Sequence, residues 1–272
     1  MQQAQDFLHE SEAIYQMLSQ ASALSFDAPT AFKGWTTKDI LQHLHFWNRM
    51  AHLQISDEHL LLQTFEQLAD FPDGMRAFEQ HQLKDLTEVA LLDSWRSTYQ
   101  AVAQLFADCD PKKRLKWPGP DMSARSSITA RLMETWAHSQ AIYDMLGIVR
   151  TNTDRIRNIV VLGLNTYGWT FMVRQETPPQ PVPFLKLAAP SGATWTFGET
   201  RQDECIEGLA EEFCQVITQS RNIADTQLKV TGPNATNWMR KAQCFAGPPE
   251  TPPEPGERAI IRDTIRDINA AS

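Results

Sequence analysis

RLMETWAHSQAIYDMLG, residues 131–147, decides how the first half of this chain is read. Leu132, Met133, Trp136, Ala137 and Ala141 fall at helical spacing, and Gly147 stands where a left-handed residue would close the helix. Ser123 is positioned to cap the other end. Glu134 and His138 are four apart, so a helix stacks one above the other. A Glu among apolar neighbours needs a partner, because carboxylates are rarely buried alone.

Three more helical patterns precede this one. Residues 3–22 carry Phe7, Ile14, Met17, Leu18 and Ala21 at three- and four-residue steps. A longer pattern runs from about 37 to 68, entered through Thr36 and Thr37 with Asp39 in the first turn. After the break at Phe71-Pro72-Asp73-Gly74, a short helix is predicted over 75–82 and a longer one over 86–108. CDPKKRLKWPGPDM, residues 109–122, reads as a loop. Four substantial helices joined by modest connections predict a four-helix bundle over 1–150.

The rest of the chain reads differently. Residues 153–175 look helical, and ETPPQPVP marks a turn. A hairpin follows, Phe184 to Ala188 and Ala193 to Phe197 around Pro-Ser-Gly. A helix over 207–220, a strand near Leu228 to Val230 and a helix over 233–245 complete a small α+β domain over 151–247. Residues 248–272 begin with a Pro-rich linker, beyond which Ile261, Ile265 and Ile268 would share one side of a terminal helix. The fold class is thus mainly α with a smaller α+β part.

Composition narrows the function. The net charge of -8 over 272 residues argues against a nucleic-acid partner, while a small anionic substrate held by local Arg side chains stays compatible. The chain shows no basic segment leading an apolar core at its start, and no apolar run near the ~20 residues that span a bilayer. The four Cys are scattered without a CxxC, as in reduced cytoplasmic proteins. A homodimer is compatible with all of this.

Helix bundles build metal sites from side chains on facing helices. Of the seven His, His43 shares an inward stripe with Ile40, Trp47 and Met50. His45 points away with Arg49 and His52. His43, Glu134 and His138 can therefore converge. Two imidazoles and one carboxylate with an open fourth position are the ligands of a catalytic zinc. Nickel, cobalt, manganese and iron accept the same donors. Spacing alone favours the plainer reading, a Glu–His hydrogen bond or ion pair.

PTAFKGWTTKDILQHLHFWN (residues 29–48) resembles the Trp-Ser/Thr-x-x-Asp-x-x-x-His-Leu segment of mycothiol-dependent maleylpyruvate isomerases, in the DinB-like superfamily. RLMETWAHSQAIYDMLG resembles their second motif, Glu-x-x-x-His before a glycine-ended helix. WPGPxMS, ARLMETWAH, APSGxxWTFG and AGPP are similar to an uncharacterised metal-binding subgroup, and the resemblance spans roughly residues 5–250. It implies that His43, Glu134 and His138 bind zinc or another divalent metal. It also implies a second domain of sterol-carrier type that places Arg221 near the active site, and a low-molecular-weight thiol as cosubstrate. Arg131 and Arg125 flank the start of the ligand helix and are further candidates for a substrate carboxylate, Arg131 the stronger. Trp117, Met122 and Trp136 are candidate pocket walls, and Lys112, Lys113, Arg114 and Lys116 form a local basic patch. Ala141 departs from the family, which often has an acidic residue there; Asp144 lies one turn later.

The expected activity is thiol-dependent isomerisation or thiol transfer on a small unsaturated carboxylate or carbonyl compound. Alternatives are a metal-hydroxide hydrolase or hydratase, and a non-enzymatic metal- or lipid-binding protein.

Overall fold

Reciprocal capping starts the helix on which the site depends. In the computed structural model, which describes residues 1–21 and 26–258, the Thr36 hydroxyl accepts from the Asp39 backbone N–H (3.1 Å), and the Asp39 carboxylate accepts from the Thr36 N–H (2.9 Å). Two otherwise unpaired donors at a helix start are satisfied this way. Helix α1 spans Gln2–Gln20 and α2 spans Thr37–Ser56. The single helix expected over 37–68 is two. At Asp57 the backbone leaves helical geometry (φ -157°, ψ 84°), and the Asp57 side chain caps α3, Glu58–Ala69, by accepting from Leu60 N–H. A short acidic side chain offers the backbone a local partner that competes with helix continuation.

Next come α4 (Gly74–Gln82), α5 (Glu88–Asp108) and α6 (Ala124–Met145). The stretch read as a loop holds a short antiparallel ladder, β1 (Arg114–Leu115) with β2 (Met122–Ser123). Ser123 caps α6 by accepting from Ser126 N–H, and Gly147 ends the run with φ 64°. Helix α5 packs against α1 and α2, and α2 also meets α3 and α4. Helix α6 joins α2 through a 2.6 Å hydrogen bond from Ser127 to Gln54. Trp95, Tyr99, Phe106 and Trp136 are wholly buried in this helical core, each large side chain contributing about 1.5–3 kcal/mol.

Two compact units divide the chain, Met1–Ser139 and Gln140–Ser272, with the boundary inside α6. In the second unit a 3₁₀ turn (Asp154–Ile156) leads into α7 (Arg157–Asn165) and α8 (Tyr167–Met172). The helix expected over 153–175 is thus interrupted. At the break, Thr166 turns its hydroxyl back onto the Leu162 and Gly163 carbonyls. Strands β3 (Phe184–Ala188), β4 (Thr194–Phe197), β5 (Cys205–Leu209) and β6 (Lys229–Thr231) form one sheet in the order β4-β3-β5-β6. β3 runs parallel to β5 and antiparallel to β4; β5 is antiparallel to β6.

Helix α9 covers Ala210–Ile217 and α10 covers Pro233–Met239. Both are shorter than their patterns predict. Residues 205–209 are an inner strand, because Cys205 and Ile206 are buried between two neighbouring strands; inner-strand pairing overrides local helical periodicity. Where α7 crosses α9, a Cβ on Gly163 would meet the Ile217 Cδ1, so any larger residue there would force that side chain to shift. The Pro-rich stretch is tied back to its unit: Asn222 donates to the Pro253 carbonyl (2.8 Å), and Arg258 donates to that of Gln219 (2.7 Å). The terminal helix expected around Ile261, Ile265 and Ile268 lies outside the described residues. Among the described residues, no helix is long and apolar enough to cross a membrane.

Candidate metal centre

Three elements of the first unit converge on His43. Helix α2 presents it from a buried face, six residues after Thr37. Helix α6 brings Glu134 and His138 on successive turns. One oxygen or nitrogen from each of the three lies within 4.8 Å of the others. Glu134 Oε2 is 3.0 Å from His138 Nε2 and 3.6 Å from His43 Nε2. The imidazole centroids are 4.6 Å apart.

Helix α4 supplies a fourth group. Phe78 wedges against Phe46 and Phe71, which fixes α4 beside α2. Its sequence neighbour Glu79 is 1% exposed. Glu79 Oε1 lies 3.0 Å from His43 Nδ1 and accepts a 2.7 Å hydrogen bond from Trp47 Nε1.

Aromatic rings border the two imidazoles. Trp35 stacks on His138 (5.7 Å, 5° between planes) and meets His43 edge-on; Phe32 meets His138 edge-on at 5.0 Å. A tight turn aims both rings. Trp35 N–H donates to the Phe32 carbonyl (2.9 Å), and Lys33 and Gly34 both have positive φ, 51° and 68°. This is a type I′ turn, for which Lys-Gly is a workable pair because glycine carries no Cβ penalty there.

The electrostatics favour a cation. Burial pushes the His43 pKa down, but Glu79 and Glu134 more than reverse this and raise it to about 9. Burial raises the Glu134 pKa, yet hydrogen bonds and charge from His138 and His43 hold it well below the usual carboxylate range. Burial dominates at His138 and lowers its pKa. Two carboxylates closing on one imidazole therefore attract positive charge strongly. Nitrogen and oxygen donors of this kind fit a divalent transition metal. Glu79 satisfies the Nδ1 of His43 and leaves Nε2 to face the other two donors.

The remaining candidates have other surroundings. Arg131 is 3% exposed and donates from Nε to Asn48 Oδ1 (3.1 Å) and from Nη2 to the Leu44 carbonyl (3.5 Å). Burial lowers its pKa to about 10 against the pull of Glu134 and Glu79, so it stays charged at neutral pH. In the second unit, Arg221 is buried, donates to Asp144 Oδ1 (2.6 Å) and to the Ser220 carbonyl (2.9 Å). Asp144 is thus engaged by Arg221 and by Gln140, and His138 Nδ1 is buried without a hydrogen-bond partner. His45 lies outside the cluster, as its position two residues on from His43 suggests; it is buried, and burial with the nearby Arg49 lowers its pKa to about 4. Trp136 is core, and Trp117 packs on Trp47 and Phe65. Lys112, Lys113 and Arg114 are exposed, and Lys116 pairs with Asp121. Sequence reasoning did not find Glu79 or Phe32, and it placed Trp35 in the first motif without giving it a role at the site. The Lys33-Gly34 pair was a usable signal for the last two.

Residues 7–143 match the family model described as mycothiol maleylpyruvate isomerase N-terminal domain. Two curated relatives, the uncharacterized proteins MT0041 and Rv0036c from two strains of Mycobacterium tuberculosis, are 34% identical over 244 residues, covering 90% of this chain and 95% of each relative. Crystal structures of a mycothiol-dependent maleylpyruvate isomerase and of a mutant of it superpose with a TM-score of 0.51 at 14% identity, covering 79% of this chain and 87% of theirs. That likeness is one of fold.

Proposed function

This chain belongs to the mycothiol maleylpyruvate isomerase N-terminal domain family, and on that premise we propose a metal-dependent cytoplasmic enzyme. It uses a low-molecular-weight thiol to isomerise a small unsaturated carboxylate or carbonyl compound, or to add the thiol to it. The proposed metal ligands are His43, Glu134 and His138, and the observation that supports them is the approach of their three donor atoms to within 4.8 Å. A divalent cation, zinc before nickel, cobalt, manganese or iron, would supply Lewis acidity that lowers the pKa of a thiol.

The chemistry conserves atoms. A thiolate sulfur adds to one carbon of the conjugated double bond, and the π electrons move onto the carbonyl oxygen. The former double bond then rotates freely. Expelling the thiolate restores the double bond in the other geometry; protonating the adduct instead completes a thiol transfer. Among the chain's own groups, Phe32 and Trp35 pack against the imidazoles and would limit the approach of water. Arg131 or, alternatively, Arg221 is the cation proposed to hold the substrate carboxylate, as a guanidinium does with a two-point hydrogen bond.

Metal analysis of the purified wild type, His43→Ala and His138→Ala tests the ligands. Stoichiometric metal is expected in the wild type and in His45→Ala, and loss in the other two. For the thiol, the cobalt-substituted protein should gain a sulfur-to-metal charge-transfer band when a thiol is added. Metal retained in His43→Ala, or a spectrum indifferent to a series of thiols, would overturn the corresponding half of the proposal.

A further inference from the structure

A carboxylate buried beside the candidate metal ligands calls for an explanation. Glu79 is 1% exposed, and its Oε1 receives both His43 Nδ1 (3.0 Å) and the Trp47 indole N–H (2.7 Å). Burying an ion this deeply costs several kcal/mol unless its partners compensate. We infer that Glu79 is a positioning residue for the metal centre: held by Trp47, it fixes the ring of His43 with Nε2 directed at Glu134. The inference rests on the metal reading above.

The geometry explains why one oxygen takes both donors. Trp47 lies one helical turn after His43 on α2, so its indole reaches the carboxylate from the same helix. A carboxylate anchored by a rigid indole has little freedom to swing, and the imidazole it meets is locked in orientation. A ligand imidazole whose far nitrogen bonds a carboxylate is also a more basic donor. His138 is built differently. Among the described residues its Nδ1 has no hydrogen-bond partner, and its ring is held by stacking against Trp35 and by Glu134. The two imidazoles are therefore unequal: the far nitrogen of His43 meets a carboxylate, and that of His138 does not.

Three variants separate the possibilities, with zinc affinity read by chelator competition and folding read by urea denaturation of the metal-free protein. Glu79→Gln keeps the shape and an acceptor oxygen but removes the charge. It is expected to weaken zinc binding by about tenfold to a hundredfold; metal-free stability falls as well, because His43 loses its charged partner, so affinity is the deciding readout. A merely structural residue would lower stability and leave affinity alone. Glu79→Asp keeps the charge and withdraws the oxygen; it should fold and should also bind zinc less tightly. In zinc-loaded wild type, the His43 Nδ1–H should give a slowly exchanging ring proton signal in ¹⁵N spectra, absent in Glu79→Leu. If both Gln and Asp variants bind zinc within twofold of wild type while His43→Ala loses it, the inference is overturned and the metal reading stands. If the wild type itself binds no zinc, the metal reading has failed.

Discussion

Asp39→Ala should cost far more than an ordinary helix-start substitution, and the excess is legible in its contacts. Asp39 closes the capping box with Thr36 at the start of α2. The same carboxylate accepts 2.6 Å and 2.7 Å hydrogen bonds from Arg76 and Gln80 of α4. A lost cap costs about 1 kcal/mol, and a hydrogen bond to a charged group about 1.5–3. The Arg76 side chain is 43% exposed, so its ion pair adds at most ~1 kcal/mol. The substitution should therefore destabilise by roughly 2–4 kcal/mol. Thr36→Ala, which removes only the hydroxyl cap, should cost about 1. Urea denaturation followed by helical circular dichroism measures both.

The pH dependence gives a second handle on Asp39. Burial raises its pKa, but the bonds from Thr36 and Gln80 and the charge of Arg76 outweigh this and leave it below the usual value. A carboxyl whose folded pKa is depressed stabilises fully above its unfolded pKa of about 3.9, and that stability is lost as pH falls through the lower folded value. The gap between wild type and Asp39→Ala should be level between about pH 5 and 8 and close below about pH 4. A gap under about 0.5 kcal/mol at pH 7, below even a weak cap, would refute the contact reading. So would a gap that persists unchanged at pH 3.

Other substitutions probe the packing and the charge balance. Arg131→Met should destabilise the metal-free protein by about 1–3 kcal/mol in denaturant titration, since Asn48 Oδ1 loses its buried donor and Glu79 and Glu134 lose a nearby cation. An unchanged midpoint would show that this charge is not needed. Gly163→Ala should destabilise by about 1–3 kcal/mol despite the better helix propensity of Ala, because the new methyl meets Ile217; a gain in stability would contradict the close α7–α9 approach. Gly34→Ala should cost about 1 kcal/mol from backbone conformation alone, as nothing lies within 4 Å of the added carbon. Calorimetry that finds no shift would argue against the type I′ turn.

The parts of this protein that could be read from its sequence are those fixed by short-range geometry. Glu134 and His138 sit on one face because any helix stacks residues four apart, and Ser123 and Gly147 bracket that helix as their types suggest. The β3–β4 hairpin follows from alternation around Pro-Ser-Gly. Glu79 was not legible, because its role depends on where a nine-residue helix docks, and that is set by Phe78 against Phe46 rather than by any spacing near Glu79. Residues 205–209 misled for a related reason. Helical periodicity from Ala210–Ile217 runs back into a segment that becomes an inner strand only because two other strands flank it. Asp57 illustrates the reverse: one capping side chain divides an apolar pattern that periodicity alone joins.

The three convergent side chains are not equally open: Glu134 keeps 23% accessibility, against 13% for His138 and 8% for His43. A molecule arriving from solution thus encounters negative charge before it encounters nitrogen. Behind that carboxylate lie the two rings, with Arg131 as a nearby positive charge. Substituting Glu134 therefore changes the outward face of the trio, whereas changes to either ring act behind it.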